Sequence, residues 1–283
     1  MMPTPLPYLL LPLALLAVFF ALPLCMAVGI SLLDFSHNLY APQFVGLQNY
    51  QRLLASPGFW QSLQNSLFLL VGMVPVMTVL SVLLALVLNG RLPGMALFRA
   101  LIYVPVVLSI VVVGIAWKWL YATDGLLNYA LGLVGVAPVP WLVSADWALI
   151  AIMAMIIWKG VAYYAMMILA HLQAISADLY QAAELDGANR FWQHWHITLP
   201  AIRPTLTLIV LICSIGSLKV FTEVVVMTNG GPLGSTRTLI FHLYETAFGQ
   251  LDLGLASAMG LVFMALLGAL AWVQYRLTAS EQS

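Results

Sequence analysis

Residues 175–204 read ISADLYQAAELDGANRFWQHWHITLPAIRP, a polar stretch held between two strongly apolar runs. It contains Asp178, Glu184, Asp186, Arg190, His194, His196 and Arg203, in a chain with only ten basic and ten acidic residues. Asp178 predicts an N-cap for a short helix over 179–185, and its carboxylate suits a positive helix N-terminus. Gly187 ends that helix, because glycine takes a left-handed turn without strain. Asn189 caps a second short helix over 190–197, and Pro200 opens the next apolar run. The expected product is two short helices around a glycine bend. Ala182 and Ala183 keep the first helix narrow enough for a groove on another protein. A loop lying along a membrane surface reads equally well from the physics alone.

The surroundings decide the class. The 283 residues are 63% hydrophobic and 7% charged, with a mean hydropathy of +1.01, whereas soluble domains carry about 25% charged residues. Zero net charge argues against a nucleic-acid partner, which needs a basic surface. Crossing about 30 Å of hydrocarbon takes roughly 20 apolar residues. Segments 9–33, 67–88, 101–117, 147–170, 201–226 and 253–275 qualify, so residues 1–283 form one all-α, polytopic membrane domain of about six spans. Leu22-Pro23-Leu24-Cys25 superficially matches the end of a lipoprotein signal, but no Lys or Arg precedes it and the apolar run continues to Leu33, which predicts a retained span. Cys25 and Cys213 read as small packing residues.

With both termini cytoplasmic, Arg91, Arg99, Arg190, Arg203 and Arg276 face the cytoplasm. Arg52 and Arg237 lie in the opposite loops, and Lys118 sits near an outer helix end. The positive-inside rule favours this orientation, which makes 175–200 cytoplasmic. Trp117, Trp119, Tyr121, Trp141 and Trp147 then suit an aromatic belt at the outer interface. No phosphate-binding loop, H-E-x-x-H, C-x-x-C or G-x-S-x-G occurs in the sequence, which leaves no motif for catalysis or a metal. His194, Trp195 and His196 have no carboxylate or cysteine at metal spacing and read as a surface helix.

The polar stretch resembles a known family. Ala182-Ala183, three residues, Gly187, nine residues and Ile197-Thr198-Leu199-Pro200 match the E-A-A…G…I-x-L-P pattern of membrane subunits of ATP-binding-cassette importers, and Asp186-Gly187-Ala188 is the family's common D-G-A. Gln181 departs from the motif's leading acid, with Glu184 nearby to take part of its role. Pro7–Pro12 (PYLLLP), 44–50 (FVGLQNY) and Thr228–Pro232 (TNGGP) are similar to the carbohydrate and glycerol-phosphate branch, in particular the maltose-type first permease. The resemblance implies a site in a prokaryotic inner or plasma membrane. It also implies a second homologous permease, two copies of a cytoplasmic ATPase that bind ATP and Mg, and an extracytoplasmic solute-binding protein. No cofactor is implied on this chain. Coupling to the ATPase would fall to Asp178, Gln181, Ala182, Ala183, Glu184, Asp186, Gly187, Arg190 and Pro200.

A translocation path needs polar groups inside apolar spans. Span four offers Trp158, Lys159, Tyr163 and Tyr164, and span five offers Ser217, Lys219, Phe221 and Glu223. Aromatic rings with a few hydrogen-bonding groups suit a sugar. Tyr163 and Tyr164 read equally as packing residues, and Lys219 with Glu223, four apart, as a self-neutralising pair on one helix face. Met166, Met167 and Met264 read as core filling. The competing function is a secondary transporter or channel working without ATPase partners, with Lys159, Lys219 and Glu223 carrying ion coupling.

Overall fold

The computed structural model describes residues 6–35, 42–90 and 93–279, so Arg91, counted above with the cytoplasmic basic residues, lies outside them. Among the described residues the regular structure is helical except for one two-residue strand pairing. In order, α1 (Leu6–Leu16) runs through a π turn (Ala17–Ala21) into α2 (Leu22–Ser31). The strands β1 (Leu33–Asp34) and β2 (Gln43–Phe44) pair antiparallel. There follow α3 (Gln48–Ala55), α4 (Pro57–Leu88), α5 (Met95–Val107), α6 (Ile110–Leu120), α7 (Leu126–Leu133) and α8 (Ala145–Leu172). The remainder is α9 (Ala177–Leu185), α10 (Arg190–Gln193), α11 (Leu199–Leu218), α12 (Thr222–Met227), α13 (Leu239–Tyr244) and α14 (Leu253–Ala279).

Among the described residues, five helices are long and apolar enough to cross a membrane: Leu9–Ser31, Pro57–Leu88, Ala145–Leu172, Arg190–Leu218 and Leu253–Arg276. A sixth crossing results if α5 and α6 count as one span, but they meet at a 96° bend. An unbroken helix was expected over 101–117. Pro105 lies inside α5, where it removes a backbone donor, and Leu108 and Ser109 are then extended, at ψ 143° and 136°. Span five departs from expectation in the same way: α11 stops at Leu218, and α12 restarts at Thr222.

Contacts group the chain into two compact units, Met1–Trp60 with Phe241–Val273 and Gln61–Ile240 with Gln274–Ser283. In the first, the FVGLQNY stretch is a clamp. Asn49 is fully buried, and its amide donates to the Ser31 and Leu33 carbonyls at 2.9 and 2.8 Å, while the Tyr50 hydroxyl meets Ser31 Oγ at 2.9 Å. Arg52 donates to Asp252 at 2.8 Å, and the other Asp252 oxygen accepts the Leu255 amide at the start of α14. A Cβ at Gly254 would strike the Leu33 carbonyl, so only glycine lets α14 approach there.

In the second unit, α4, α8 and α11 share the core. Ala85, Leu88, Ala165, Ile168, Leu169, Leu172, Ile202 and Ile209 form one buried cluster, with Tyr164, Met166 and Met167 packed against it. Met264 instead is 45% exposed, so it does not fill a core. Of the cysteines only Cys213 is buried, and Cys25 is exposed; both are free thiols. Apolar side chains of α1 and the π turn after it stand exposed, with Leu10, Leu11 and Phe19 between 63% and 76%, as expected of a helix that lipid or another chain must cover.

Candidate functional site

The segment after α8 folds largely as its residues dictate. Ser176, rather than Asp178, is the N-cap: its hydroxyl accepts the Asp178 amide at 3.2 Å, and α9 starts at Ala177. Asp178 lies in the first helical turn, where its charge favours the positive end of the helix dipole. At the other end, the Gly187 amide bonds the Glu184 carbonyl at 3.1 Å, and the Ala188 amide bonds the Ala183 carbonyl at 2.8 Å. These two bonds define a Schellman closure, and Gly187 at its apex has φ +80°. Asn189 caps α10 by accepting the Trp192 amide at 2.8 Å.

The second short helix is not separate. From Gln193 the backbone passes through a π turn (His194–Thr198) straight into α11, making one helix, Arg190–Leu218. Pro200 has no amide to offer His196. The Leu199 amide reaches back to the His194 carbonyl instead, and this widened turn relieves the clash a proline ring causes in an α-helix. Thr198, 4% exposed, joins the two short helices: its hydroxyl meets Tyr180 Oη at 3.0 Å and His194 Nδ1 at 3.4 Å. Neither Ser176, Tyr180 nor Thr198 carries a sequence signal strong enough to single it out.

The outer face of this joint is apolar and uncovered. Leu185 is 90% and Phe191 72% exposed; Gln181, Glu184, Asp186 and Arg190 are also exposed, while Ala183 is buried. A groove of about 620 Å³ runs between α9 and α10, lined by Leu179, Ala182, Ala183, Gly187, Trp192 and Ile197. Its alanines keep it open. His196 stacks on Trp192 at 4.3 Å, and no group of metal-ligating side chains exists among the described residues. The joint follows α8 in the chain and is continuous with α11.

The expected path residues fall on α8 and around the α11–α12 break, and α12 packs against both α6 and α8. Lys159 donates to the Val106 carbonyl at 3.0 Å. In an unbroken helix that carbonyl would accept the amide of Ile110, so Lys159 replaces the bond lost at the bend and adds a cation to a helix C-terminus. Thr238 serves the second break alike, donating to the Val220 carbonyl at 2.7 Å. Irregular backbone at membrane depth persists only where such partners are supplied. Lys219 is the C-cap of α11, and Glu223 lies in the first turn of α12, so the break takes them off a common helix face. Ser217 is buried and donates to the Ser214 carbonyl at 2.9 Å. Trp158 and Tyr163 stand 47% and 41% exposed, the former against Trp117 at 5.3 Å and the latter against Tyr164 at 5.2 Å. A separate cavity of about 660 Å³ between α4 and α11 is lined almost wholly by apolar groups such as Val79, Leu83, Trp195 and Leu206, which suits an acyl chain better than a hydroxylated solute.

A family model described as "Binding-protein-dependent transport system inner membrane component" matches residues 77–280. The chain is similar to the trehalose/maltose transport system permease protein of Thermococcus litoralis, 35% identical over 88% of this chain and 85% of the relative. It is also similar to the lactose transport system permease protein of Rhizobium radiobacter, 32% identical over 93% and 89%. Among solved structures, a bacterial ABC transporter involved in import of the acidic polysaccharide alginate superimposes with a TM-score of 0.85 at 21% identity, over 97% of this chain and 94% of that one. At that identity the likeness speaks to fold.

Proposed function

This chain belongs to the family of binding-protein-dependent transport system inner membrane components, and from that premise we propose that it forms half of the path for a di- or oligosaccharide or a related polyol in an ATP-driven importer. The other half is a second, homologous permease. Two cytoplasmic ATPase subunits hold ATP and Mg, and an extracytoplasmic solute-binding protein delivers the sugar. Permeases for trehalose and maltose, lactose and sulfoquinovosyl glycerol are among the relatives, which supports a carbohydrate. Residues 1–283 act as one six-span domain with both termini cytoplasmic.

The observation that carries the reading is the joint α9–Gly187–α10. It is rigid, since every turn of it is capped, and it is continuous with α11. It presents Leu179, Ala182 and Leu185 on a surface that none of the described residues covers. Closure of the ATPases on ATP moves this joint, and α8 and α11 carry the motion to the helices bordering the path. The path thereby shifts between inward and outward access, driven by binding energy at a separate site. Trp158, Lys159, Tyr163, Tyr164, Ser217, Lys219, Phe221 and Glu223 border that path. Lys159 does so as the cap of a broken helix, and the exposed aromatics offer stacking faces for sugar rings.

Gly187→Pro and Ala183→Trp are expected to abolish uptake by the reconstituted importer and to lose the ATPase on co-purification, while the solute-binding protein retains its affinity for sugar. Proline cannot adopt φ +80° and removes the bond to Glu184, and tryptophan fills the groove. Normal uptake by both variants, or a wild-type chain that transports without any ATPase, would overturn the coupling role.

A further inference from the structure

We propose that the cleft between the end of α6, the loop 140–143 that precedes α8 and the end of α12 is an entry subsite that holds one pyranose ring of the sugar before it moves inward. This inference rests on the sugar-import reading above.

The cleft has a volume of about 400 Å³ and is lined by Lys118, Tyr121, Thr123, Trp141, Thr228 and Asn229, among others, a size within the range of small-molecule sites. It lies at the N-terminal end of α8, whereas the coupling joint follows the C-terminal end. At 1.5 Å per residue, the 28 residues of that helix separate the two by roughly 40 Å. If the joint faces the ATPases, the cleft faces the side from which solute arrives.

Its aromatic walls are fixed in advance. Asn128, 4% exposed, donates to the Ala122 and Val139 carbonyls and accepts from the Val139 amide and from Trp141 Nε1 at 3.0 Å. It thus uses its full hydrogen-bonding capacity to hold the connection and the indole. The Tyr121 hydroxyl donates to the Ala151 carbonyl at 2.9 Å, and its ring lies 5.5 Å from that of Trp141. Asn229 is held at φ +50° with its amide on the Val224 carbonyl at 2.8 Å, a left-handed conformation that asparagine tolerates better than most residues.

Thr228 is engaged, its hydroxyl bonding the Val224 carbonyl and Thr236, but three other polar groups are uncommitted. Among the described residues, no other protein group engages the side chains of Lys118, Thr123 or Asn229. An ammonium, a hydroxyl and an amide beside the half-buried Trp141 ring, itself backed by the buried Tyr121, match the hydroxylated edge and apolar face of a pyranose. No lining residue is acidic, so the cleft suits a neutral or acidic sugar rather than an amino sugar. The walls need no rearrangement on binding, which keeps the ordering cost low.

The test uses the assembled importer in nanodiscs, in a Cys25→Ser background, carrying Thr123→Cys or Asn229→Cys. A sugar the wild type takes up, chosen from maltose, lactose and trehalose, is added without binding protein, and the rate of modification by a small methanethiosulfonate reagent is followed. Occupancy at about ten times the dissociation constant slows modification roughly tenfold, and Lys118→Met raises KM for uptake while kcat is retained. Uptake by the wild type with no slowing by sugar overturns the subsite alone. Slowing only by loaded binding protein also overturns it and makes the cleft a docking surface instead. A wild-type importer that takes up none of these sugars overturns both the subsite and the sugar-import reading.

Discussion

The helices α9 and α5, one in the polar stretch and one in an apolar span, are closed in opposite ways. The C-terminus of α9 is closed by its own next three residues: Gly187 turns left-handed, and two amides fold back on Ala183 and Glu184. The C-terminus of α5 is closed from 53 residues away by Lys159 on α8. The first closure is a property of a short peptide and moves as a unit. The second exists only while α5 and α8 stay packed. In the coupling role proposed above, the first kind suits a joint that transmits force, and the second ties the α5–α6 bend to α8.

The largest effect is expected where closure depends on tertiary contact. Lys159→Met should cost about 1.5–3 kcal/mol by leaving the Val106 carbonyl without its charged donor and should abolish uptake. Lys159→Arg, which restores a donor, should recover part of both in a thermal unfolding and proteoliposome uptake comparison. Equal behaviour of the two variants would mean that the cap is incidental. Next comes the local closure. Gly187→Ala should cost about 1–2 kcal/mol, purely from the left-handed backbone, because an added Cβ meets nothing within 4 Å. Gly187→Asn should recover much of that, and ATPase capture by the purified variants reads the difference. The smallest effect tests whether α10 depends on its own cap once α11 continues it. Asn189→Ala should lower stability by about 1 kcal/mol, and an effect well below that in thermal unfolding would show that α11 alone holds α10 in place.

The same contrast explains what could be read in advance. The glycine bend, the Asn189 cap and the apolar spans rest on rules spanning four residues or one helix, and they were legible. The cap at Ser176 was missed because Ser176 and Asp178 are both good capping residues two positions apart, and only backbone geometry chooses between them. The run from α10 into α11 was missed because proline ordinarily marks a helix start, whereas a π turn carries the helix past it. Lys159 was read as a path residue, since an intramembrane charge is functional by default. Its partner is a backbone carbonyl, which has no signature in sequence.

Composition and periodicity by themselves determined that this chain is a helical membrane protein with one polar joint, because burial in lipid and helix capping are local or additive. Only the tertiary structure decided where two spans break, which side chains replace the lost backbone bonds, and that Asn128 fixes Trp141 beside Lys118 and Asn229. Those arrangements join residues from helices far apart in sequence, and their energy exists only once the helices have packed.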